Sequence, residues 1–435
     1  MNLTGWGRYP RIQSQGFFLK TPEGLRDFLR EPGDCIVHGM GGSYGDSALN
    51  ARVILSRRYN KILNFDPRAG VVRCQAGITL SDLIQVFLPR GWLPAAMPGT
   101  RLITLGGAIA ADVHGKNHHQ AGCFSEGLIS LELMLPGGQV VECGRELNRE
   151  LFLATCGGMG LTGIILTAAL RLQPVKSAWI RETVIRSQNL KEAFLLFDEN
   201  QDAAYSVAWI DCLAKGDSLG RSVFRLGDHA DSGGLDLPFR KPVRVPFTFP
   251  GFLLNRHSIS WFNHLFYKKN NKSSAPVEDR PVPLGDFFFP LDRLANWNRL
   301  YGRPGLTQYH LVLPKEAGLA GITAIIKKTA AAGLGPFLGV LKLFGPGNDN
   351  YLSFPLEGYT LALDFKIQTG LFSLLDELDR IVIEHGGRLY LAKDVRMPRE
   401  VFQKGYPRWE LFAELREKLG LRQKFNSLQS TRLGV

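Results

Sequence analysis

Glycine dominates the residues whose types and spacing could do chemistry. Between two strand-like segments runs His38-Gly39-Met40-Gly41-Gly42-Ser43-Tyr44-Gly45-Asp46, followed by Ser47 and Ala48. Lacking a Cβ and free to adopt positive φ, glycines let successive backbone N–H groups approach an anion such as a pyrophosphate. The loop departs from a Rossmann fingerprint, because no long amphipathic helix follows it and residues 50–56 read as another extended segment. An NAD-binding Rossmann domain is therefore disfavoured. A second cradle is Pro98-Gly99-Thr100-Arg101 and then Thr104-Leu105-Gly106-Gly107-Ala108-Ile109-Ala110-Ala111-Asp112-Val113-His114, whose small side chains would let a flat ring and its phosphates lie against the backbone. A third, Gly157-Gly158-Met159-Gly160-Leu161-Thr162-Gly163-Ile164-Ile165, ends in a β-branched pair suited to a strand, and taken alone fits a buried turn equally well. His114, His118 and His119 have metal-like spacing, but no ligand cysteine or neighbouring carboxylate pair completes a site, so no metal is expected.

The elements that must position these residues follow from hydrophobic periodicity and turn signals. Strands are expected at 34–38, 53–56, 70–76, 128–135, 140–143 and 164–172, with a helix at 80–87 opened by Thr79. Further on, strands at 205–211 and 308–314 and helices at 316–331 and 371–385 suggest a second domain. Residues 217–286 read as a long irregular insertion. It mixes aromatics (Phe247, Phe249, Phe252, Trp261, Phe262, Phe266, Tyr267) with cations (Arg240, Lys241, Arg244, Arg256, Lys268, Lys269, Lys272) and prolines such as Pro238 and Pro276. Such a segment either settles on an anionic lipid surface or packs on the second domain as an ordinary loop.

At 435 residues and 45% hydrophobic content the chain can bury two or three cores. No apolar run reaches the roughly 20 residues of a membrane span, and residues 1–16 do not read as a secretory signal, so the expected location is cytoplasmic. Six scattered cysteines without a CxxC pair read as reduced, mostly buried thiols. The net charge of +12 favours anionic partners: a dinucleotide, a phosphorylated substrate or an anionic membrane. Nucleic acid is not expected, since no zinc-finger, RNA-recognition or helix-turn-helix pattern is present.

Together the three glycine segments resemble the FAD domain of the vanillyl-alcohol-oxidase/p-cresol-methylhydroxylase-like superfamily. Ser43-Tyr44-Gly45-Asp46, Pro98-Gly99-Thr100-Arg101, His114-Gly115-Lys116-Asn117-His118-His119, Lys342-Leu343-Phe344-Gly345-Pro346, Leu352-Ser353-Phe354-Pro355 and Tyr390-Leu391-Ala392-Lys393-Asp394 sharpen the likeness to the decaprenylphosphoryl-β-D-ribose 2′-oxidase family, from about residue 35 to the end. The resemblance implies an α+β protein: a two-subdomain PCMH-type FAD-binding domain, plus a substrate domain with an antiparallel sheet flanked by helices. The FAD domain would comprise residues 1–175 and a C-terminal return at 386–435, and the substrate domain 176–385, carrying the insertion at about 217–286.

The implied reaction is oxidation of a polyprenyl-phosphoryl pentose at C2′ to the 2′-keto sugar by hydride transfer to flavin N5. This is the first half of an epimerisation that a separate NAD(P)H-dependent reductase completes, and it places the protein in cell envelope biosynthesis, with peripheral contact at the inner face of an anionic membrane. Two other readings stand beside it: an FAD oxidase of a free sugar, alditol or aldonolactone, and a non-catalytic lipid-sugar binding protein. Cofactor contacts carried over are His38, Gly39, Met40, Gly41, Gly42, Ser43, Tyr44, Gly45, Asp46, Ser47, Ala48, Gly99, Thr104, Leu105, Gly106, Gly107, Ala111, Asp112, Val113, His114, Ile165 and Tyr390. Non-covalent FAD is expected, because Ser43 stands where many relatives place the histidine that bonds the flavin. Lys393 would act at the reacting hydroxyl as base or electrostatic group, or else pair with adjacent Asp394. His114 would sit at the flavin's reactive edge, and Lys116, His310, Lys342 and Thr360 would contact substrate. The likeness breaks where the family has Gln-Tyr-Gln and this chain Gln308-Tyr309-His310, and where it has Asn-Ile-Cys and this chain Thr360-Leu361-Ala362. Phe287-Phe288-Phe289-Pro290 replaces a more polar, tyrosine-containing segment, so a more apolar pocket and a different sugar are expected.

Overall fold

The computed structural model describes residues 1–236, 241–270 and 277–435. Pro238, Arg240, Lys272 and Pro276 lie outside the described residues. The protein is α+β, and three sheets organise it. The first is parallel, with strands β1 (Gln15–Phe18), β2 (Ile36–His38) and β3 (Arg52–Leu55) in the order β1-β3-β2. Helix α1 (Pro22–Arg30) is opened by Thr21, which caps the Gly24 N–H, and by Pro22 in its first turn. It packs Leu25, Phe28 and Leu29 into the same small core as Ile54 of the sheet and, from the far end of the chain, Leu421 and Phe425. The C-terminal segment is tied in by the Cys35 N–H to the Lys424 carbonyl (2.7 Å) and the Asn426 N–H to the Cys35 carbonyl (3.1 Å). Both chain ends thus build this layer.

The second sheet is antiparallel and holds β4 (Ile62–Asp66), β5 (Val71–Gln75), β6 (Trp92–Pro94), β7 (Leu128–Met134), β8 (Val140–Gly144) and β9 (Ile164–Pro174), in the order β8-β7-β9-β5-β4 with β6 also on β9. Helix α2 (Leu80–Phe87) is fixed by a reciprocal Thr79/Asp82 capping box. Helix α3 (Leu105–Ala110) lies against β9, and Ala108 and Ile109 are fully buried.

The third sheet runs β13-β10-β12-β11-β15-β16-β14-β17, from β10 (Trp179–Ser187), β11 (Tyr205–Ile210), β12 (Ser222–His229), β13 (Val277–Pro283), β14 (Leu306–Pro314), β15 (Leu338–Phe344), β16 (Gly358–Lys366) and β17 (Arg388–Leu389). Its back is covered by α4 (Leu190–Glu199), α6 (Lys315–Ala332) and α7 (Leu371–Glu384), whose Phe194, Ile322, Ile325, Leu374 and Leu378 share one core with Leu311, Leu341, Leu361 and Leu363. Side chains alternate along a strand, so the opposite, front face carries Gln308 beside Asp364, His310 beside Ala362, and Lys342 beside Thr360.

One expectation is corrected here. Residues 217–286 are not one irregular insertion: β12 is an interior strand of the third sheet, and Arg256–Lys269 forms the 14-residue helix α5, opened by an Asn255/Ser258 capping box. All six cysteines are buried and free of disulfides. No helix of the described residues is long and apolar enough to cross a membrane.

Candidate active site

The glycine loop leaves β2 at His38 and is folded back on itself by the His38 ring, whose Nδ1 lies 3.0 Å from the Ala48 carbonyl. Burial lowers the proton affinity of that imidazole, the bond to Ala48 opposing the shift. A Cβ on Gly45 would lie 1.7 Å from the Asp394 carbonyl oxygen, and the Tyr44 N–H donates to the Ala392 carbonyl at 3.1 Å. The loop therefore rests directly on the backbone that carries Lys393. On its other side a Cβ on Gly39 would lie 2.5 Å from Thr104 Oγ1. The third glycine segment joins the same group, with the Gly157 N–H on the Ile109 carbonyl (3.0 Å) and the Met159 N–H on the Ala110 carbonyl (2.8 Å). All three glycine motifs thus meet around α3, and β9 carries Ile165 opposite Leu133 beside them.

The amides differ in what they leave free. Those of Leu105, Gly106 and Gly107 are taken by Ile78, Ala76 and Thr104, and those of Ala111, Asp112 and Val113 by Gly107, Ile109 and Ala108. These six amides are therefore not available as anion donors. The amides of Met40, Gly41, Gly42 and Ser43 donate to no acceptor among the described residues, the loop keeps accessible surface at these positions, and the buried Ser47 hydroxyl is unpartnered. That set of donors fits the pyrophosphate of a dinucleotide. Gly99 is exposed, and a Cβ there would meet nothing within 4 Å. Asp112, buried at a φ of +39°, uses its carboxylate to hold Ser353 (2.6 Å), Asn348 and Asn350 (both 2.8 Å) and the Ser125 N–H (3.0 Å). Its side chain pins residues 348–353 and is fully engaged within the protein.

The front of the third sheet faces this loop through a cluster of aromatic and basic groups. His114 lies 4.7 Å from Phe344, 5.3 Å from Tyr390 and 5.4 Å from His310 between ring centres, and its buried Nδ1 has no partner. The Tyr390 hydroxyl donates to the Ala111 carbonyl at 2.9 Å. Thr360 Oγ1 donates to the Leu311 carbonyl (2.8 Å) and so receives the His310 Nε2–H (3.0 Å). This leaves His310 Nδ1 an unprotonated, buried, unpartnered acceptor. Burial first, then Lys342, hold both His114 and His310 well below the usual imidazole range.

Lys116, Lys342 and Lys393 each keep some accessible surface, yet burial lowers all three, Lys116 to about 7 and Lys342 to about 8. Lys393 Nζ lies 3.9 Å from the centre of the Tyr44 ring. It does not pair with Asp394. That carboxylate is taken by Arg432 (2.9 Å), Gln429 (3.3 Å) and the N–H groups of Arg396 (2.9 Å) and Met397 (2.7 Å). The carboxylate that faces Lys393 is Asp364, which sequence reasoning passed over. It is buried, its pKa is raised by burial against Gln308 and Lys393, and it receives the Gln308 amide at 2.6 Å. The available signal was the alternation Thr360, Ala362, Asp364 on one strand face. Lys116 sits apart, its Nζ donating to the Phe287 carbonyl and lying 4.4 Å from the Phe287 ring centre. His118 and His119 are engaged elsewhere, on Cys123 Sγ (3.3 Å) and the Ala203 carbonyl (2.9 Å).

Comparison with known proteins agrees with this geometry. The family model described as an FAD binding domain matches residues 25–144. Decaprenylphosphoryl-beta-D-ribose oxidase of Mycolicibacterium smegmatis is 36% identical, covering 99% of this chain and 97% of that protein. An uncharacterized protein in the mprA 5′ region of Streptomyces coelicolor is 33% identical over 82% of this chain and 100% of its own. L-gulonolactone oxidase of Scyliorhinus torazame is 22% identical over 88% of this chain and 86% of its own.

Proposed function

The chain belongs to the decaprenylphosphoryl-β-D-ribose oxidase family of FAD-dependent oxidoreductases, and from that premise we propose that it oxidises C2′ of a polyprenyl-phosphoryl pentose to the ketone. The observation that carries the reading is an imbalance of charge: Lys342 and Lys393 stand at the front of the third sheet, and among the described residues Asp364, which acts on Lys393, is the one carboxylate set against the two. A face of that kind has a positive excess for a phosphate-bearing substrate.

FAD would be held without a covalent bond, its pyrophosphate at the free amides of 40–43 and its ring system against the backbone of 104–113, with Tyr390 and His114 beside it. Bound there, it supplies the acceptor for the C2′ hydrogen and its electron pair. Lys393 receives the proton of the reacting hydroxyl, a task suited to an amine whose proton affinity burial has lowered. His310 accepts a hydrogen bond from a second hydroxyl, Thr360 holds that imidazole in place, and Lys342 faces the phosphate, while Lys116 stays on the Phe287 carbonyl. We take 1–175 with 386–435 as the cofactor-binding unit and 176–385 as the substrate-binding unit. The product, a keto sugar still attached to its lipid, calls for a reductase to complete an epimerisation. The exposed aromatic and basic surface around α5 is read as the contact with the anionic membrane from which such a lipid is drawn.

The test is anaerobic stopped-flow absorbance of the flavin-loaded protein mixed with a short-chain polyprenyl-phosphoryl ribose or arabinose. Rapid bleaching of the oxidised flavin band is expected, slowed at least about 100-fold by Lys393→Ala if the lysine handles the proton. Flavin that stays oxidised with these lipids and bleaches with free polyols would overturn the assignment in favour of a free-sugar oxidase.

A further inference from the structure

We infer that Asp364 is a positioning residue that sets the charge of Lys393, a role that rests on the placement of Lys393 at the reacting hydroxyl. Asp364 projects from the front face of β16, opposite Gln308. Its Oδ1 receives the Gln308 amide at 2.6 Å, while its Oδ2, fully buried, has no partner. The buried hydroxyl of Tyr301 is also unpartnered, and its ring lies 6.0 Å from that of Phe337, whose N–H donates to the Asp364 carbonyl at 3.0 Å. A buried carboxylate with a single neutral donor is costly unless a cation compensates it. Lys393 is the cation placed to do so: its Nζ lies 3.9 Å from the centre of the Tyr44 ring, which shares a core cluster with Tyr301 and Phe337 beside Asp364.

The lysine is in the matching position. Among the described residues it has no carboxylate oxygen within 4 Å: Asp394 is held by Arg432, and Lys393 Nζ rests over the Tyr44 ring. Asp364 is the one group that raises its proton affinity, against burial and Lys342, which lower it. Tyr44, Asp364, Lys342 and the neutral His114 and His310 complete the groups around it.

The separation matters chemically. A direct contact pair would occupy the N–H groups of Lys393 and fix it as an ammonium. A carboxylate beyond hydrogen-bonding range raises the proton affinity while leaving the amine free to meet a substrate hydroxyl. Gln308 fixes the carboxylate against the sheet, so the distance is set by strand register rather than by a flexible side chain.

The experiment is competitive labelling of the full-length, FAD-loaded protein with trace acetic anhydride between pH 5 and 10, acetylation of Lys393 and Lys342 being read by mass spectrometry. In Asp364→Asn the labelling midpoint of Lys393 should fall by about one pH unit or more, the shift a neighbouring charge ordinarily produces. The midpoint of Lys342, lowered by burial alone, should stay where it is. Asp364→Glu should restore the wild-type midpoint, which a merely structural carboxylate has no reason to do. If the asparagine variant fails to retain FAD, Asp364→Ser supplies the same neutral comparison. An unmoved Lys393 midpoint in a folded, flavin-loaded neutral variant would overturn the inference. The pH profile of flavin bleaching by substrate separates the two assignments. A midpoint that falls without moving that profile upholds the role of Asp364 and removes Lys393 from the reacting hydroxyl.

Discussion

At the scale of single residues the clearest chemistry lies in the pair His310 and Thr360, at which this chain departs from its family. Threonine can accept the imidazole N–H because its own hydroxyl hydrogen is committed to the Leu311 carbonyl, and this chain of two bonds fixes one tautomer. Glutamine and asparagine at these positions present donors as well as acceptors, whereas His310 presents to the cleft a lone pair alone. Burial, then Lys342 and Lys393, hold its proton affinity well below the usual imidazole range. Thr360→Val keeps the shape of the side chain and leaves a buried N–H without an acceptor. The expected loss in unfolding free energy is about 1–3 kcal/mol by denaturant titration. The ¹⁵N resonances of His310 should change from those of a single Nε2–H tautomer to a mixture, and an unchanged spectrum would show that Thr360 does not set the tautomer.

At the scale of elements the cofactor loop and the Lys393 segment behave as one unit, because backbone lies on backbone. Asp46 and Asp394 share Arg432, at 2.9 Å each, and Gln429 reaches the Leu391 carbonyl at 2.8 Å, so the helix Leu428–Leu433 clamps both strings. Gly45→Ala should separate them, since its methyl would overlap the Asp394 carbonyl. We expect the purified variant to bind FAD at least about tenfold more weakly, read from flavin fluorescence on titration, and full affinity would refute the apposition. Much of this was legible in the sequence. The capped helix after Thr79, the glycine loop and strands β5, β7, β8 and β9 of the second sheet announce themselves by periodicity, caps and turn residues, whereas β4 and β6 do not. What was hidden has physical reasons. Arg225 and Gly227 interrupt the apolar pattern of β12, yet Gly227 is where the Phe287 ring packs, at 2.4 Å from a notional Cβ, and Arg225 is neutralised by buried Glu182 at 3.0 Å. Strand β16 is buried on both faces, so Asp364 looks like a polar strand end, and only the paired register of β14 and β15 reveals which face it shares. Helix α3 is short and glycine-rich, and its small residues point to a ligand surface without betraying the helix beneath.

At the scale of the whole molecule, the net charge of +12 and the surface around α5 belong to one argument. Ile259 and Asn263 are buried, and Phe266 packs 4.7 Å from Trp209, so one side of α5 is fixed to the third sheet. Large apolar residues remain outside among polar ones: Trp261 is 68% exposed, with Leu265 one turn along, and Phe252 is 74% exposed and Phe247 59% on the preceding segment. Lys366 ties that segment down through the carbonyls of Gly251 (2.8 Å) and Leu254 (3.0 Å), so the aromatics are presented on a held scaffold. Lys241, Arg244, Arg256, Lys268 and Lys269 are exposed on the same helix and preceding segment. Exposed aromatics interleaved with cations suit an anionic interface, where aromatic side chains enter the headgroup layer and the cations stay at its surface. The protein should therefore co-sediment with vesicles containing phosphatidylglycerol and much less with phosphatidylcholine alone, and the difference should shrink as salt shortens the reach of the charges. Trp261→Ser with Leu265→Ser should reduce binding to the anionic vesicles by about tenfold or more, the order expected when two large apolar groups lose their buried site, while leaving the flavin spectrum unchanged. If the doubly substituted protein binds as well as the wild type, the patch is not the contact, and the lipid-linked substrate must be reached from another face.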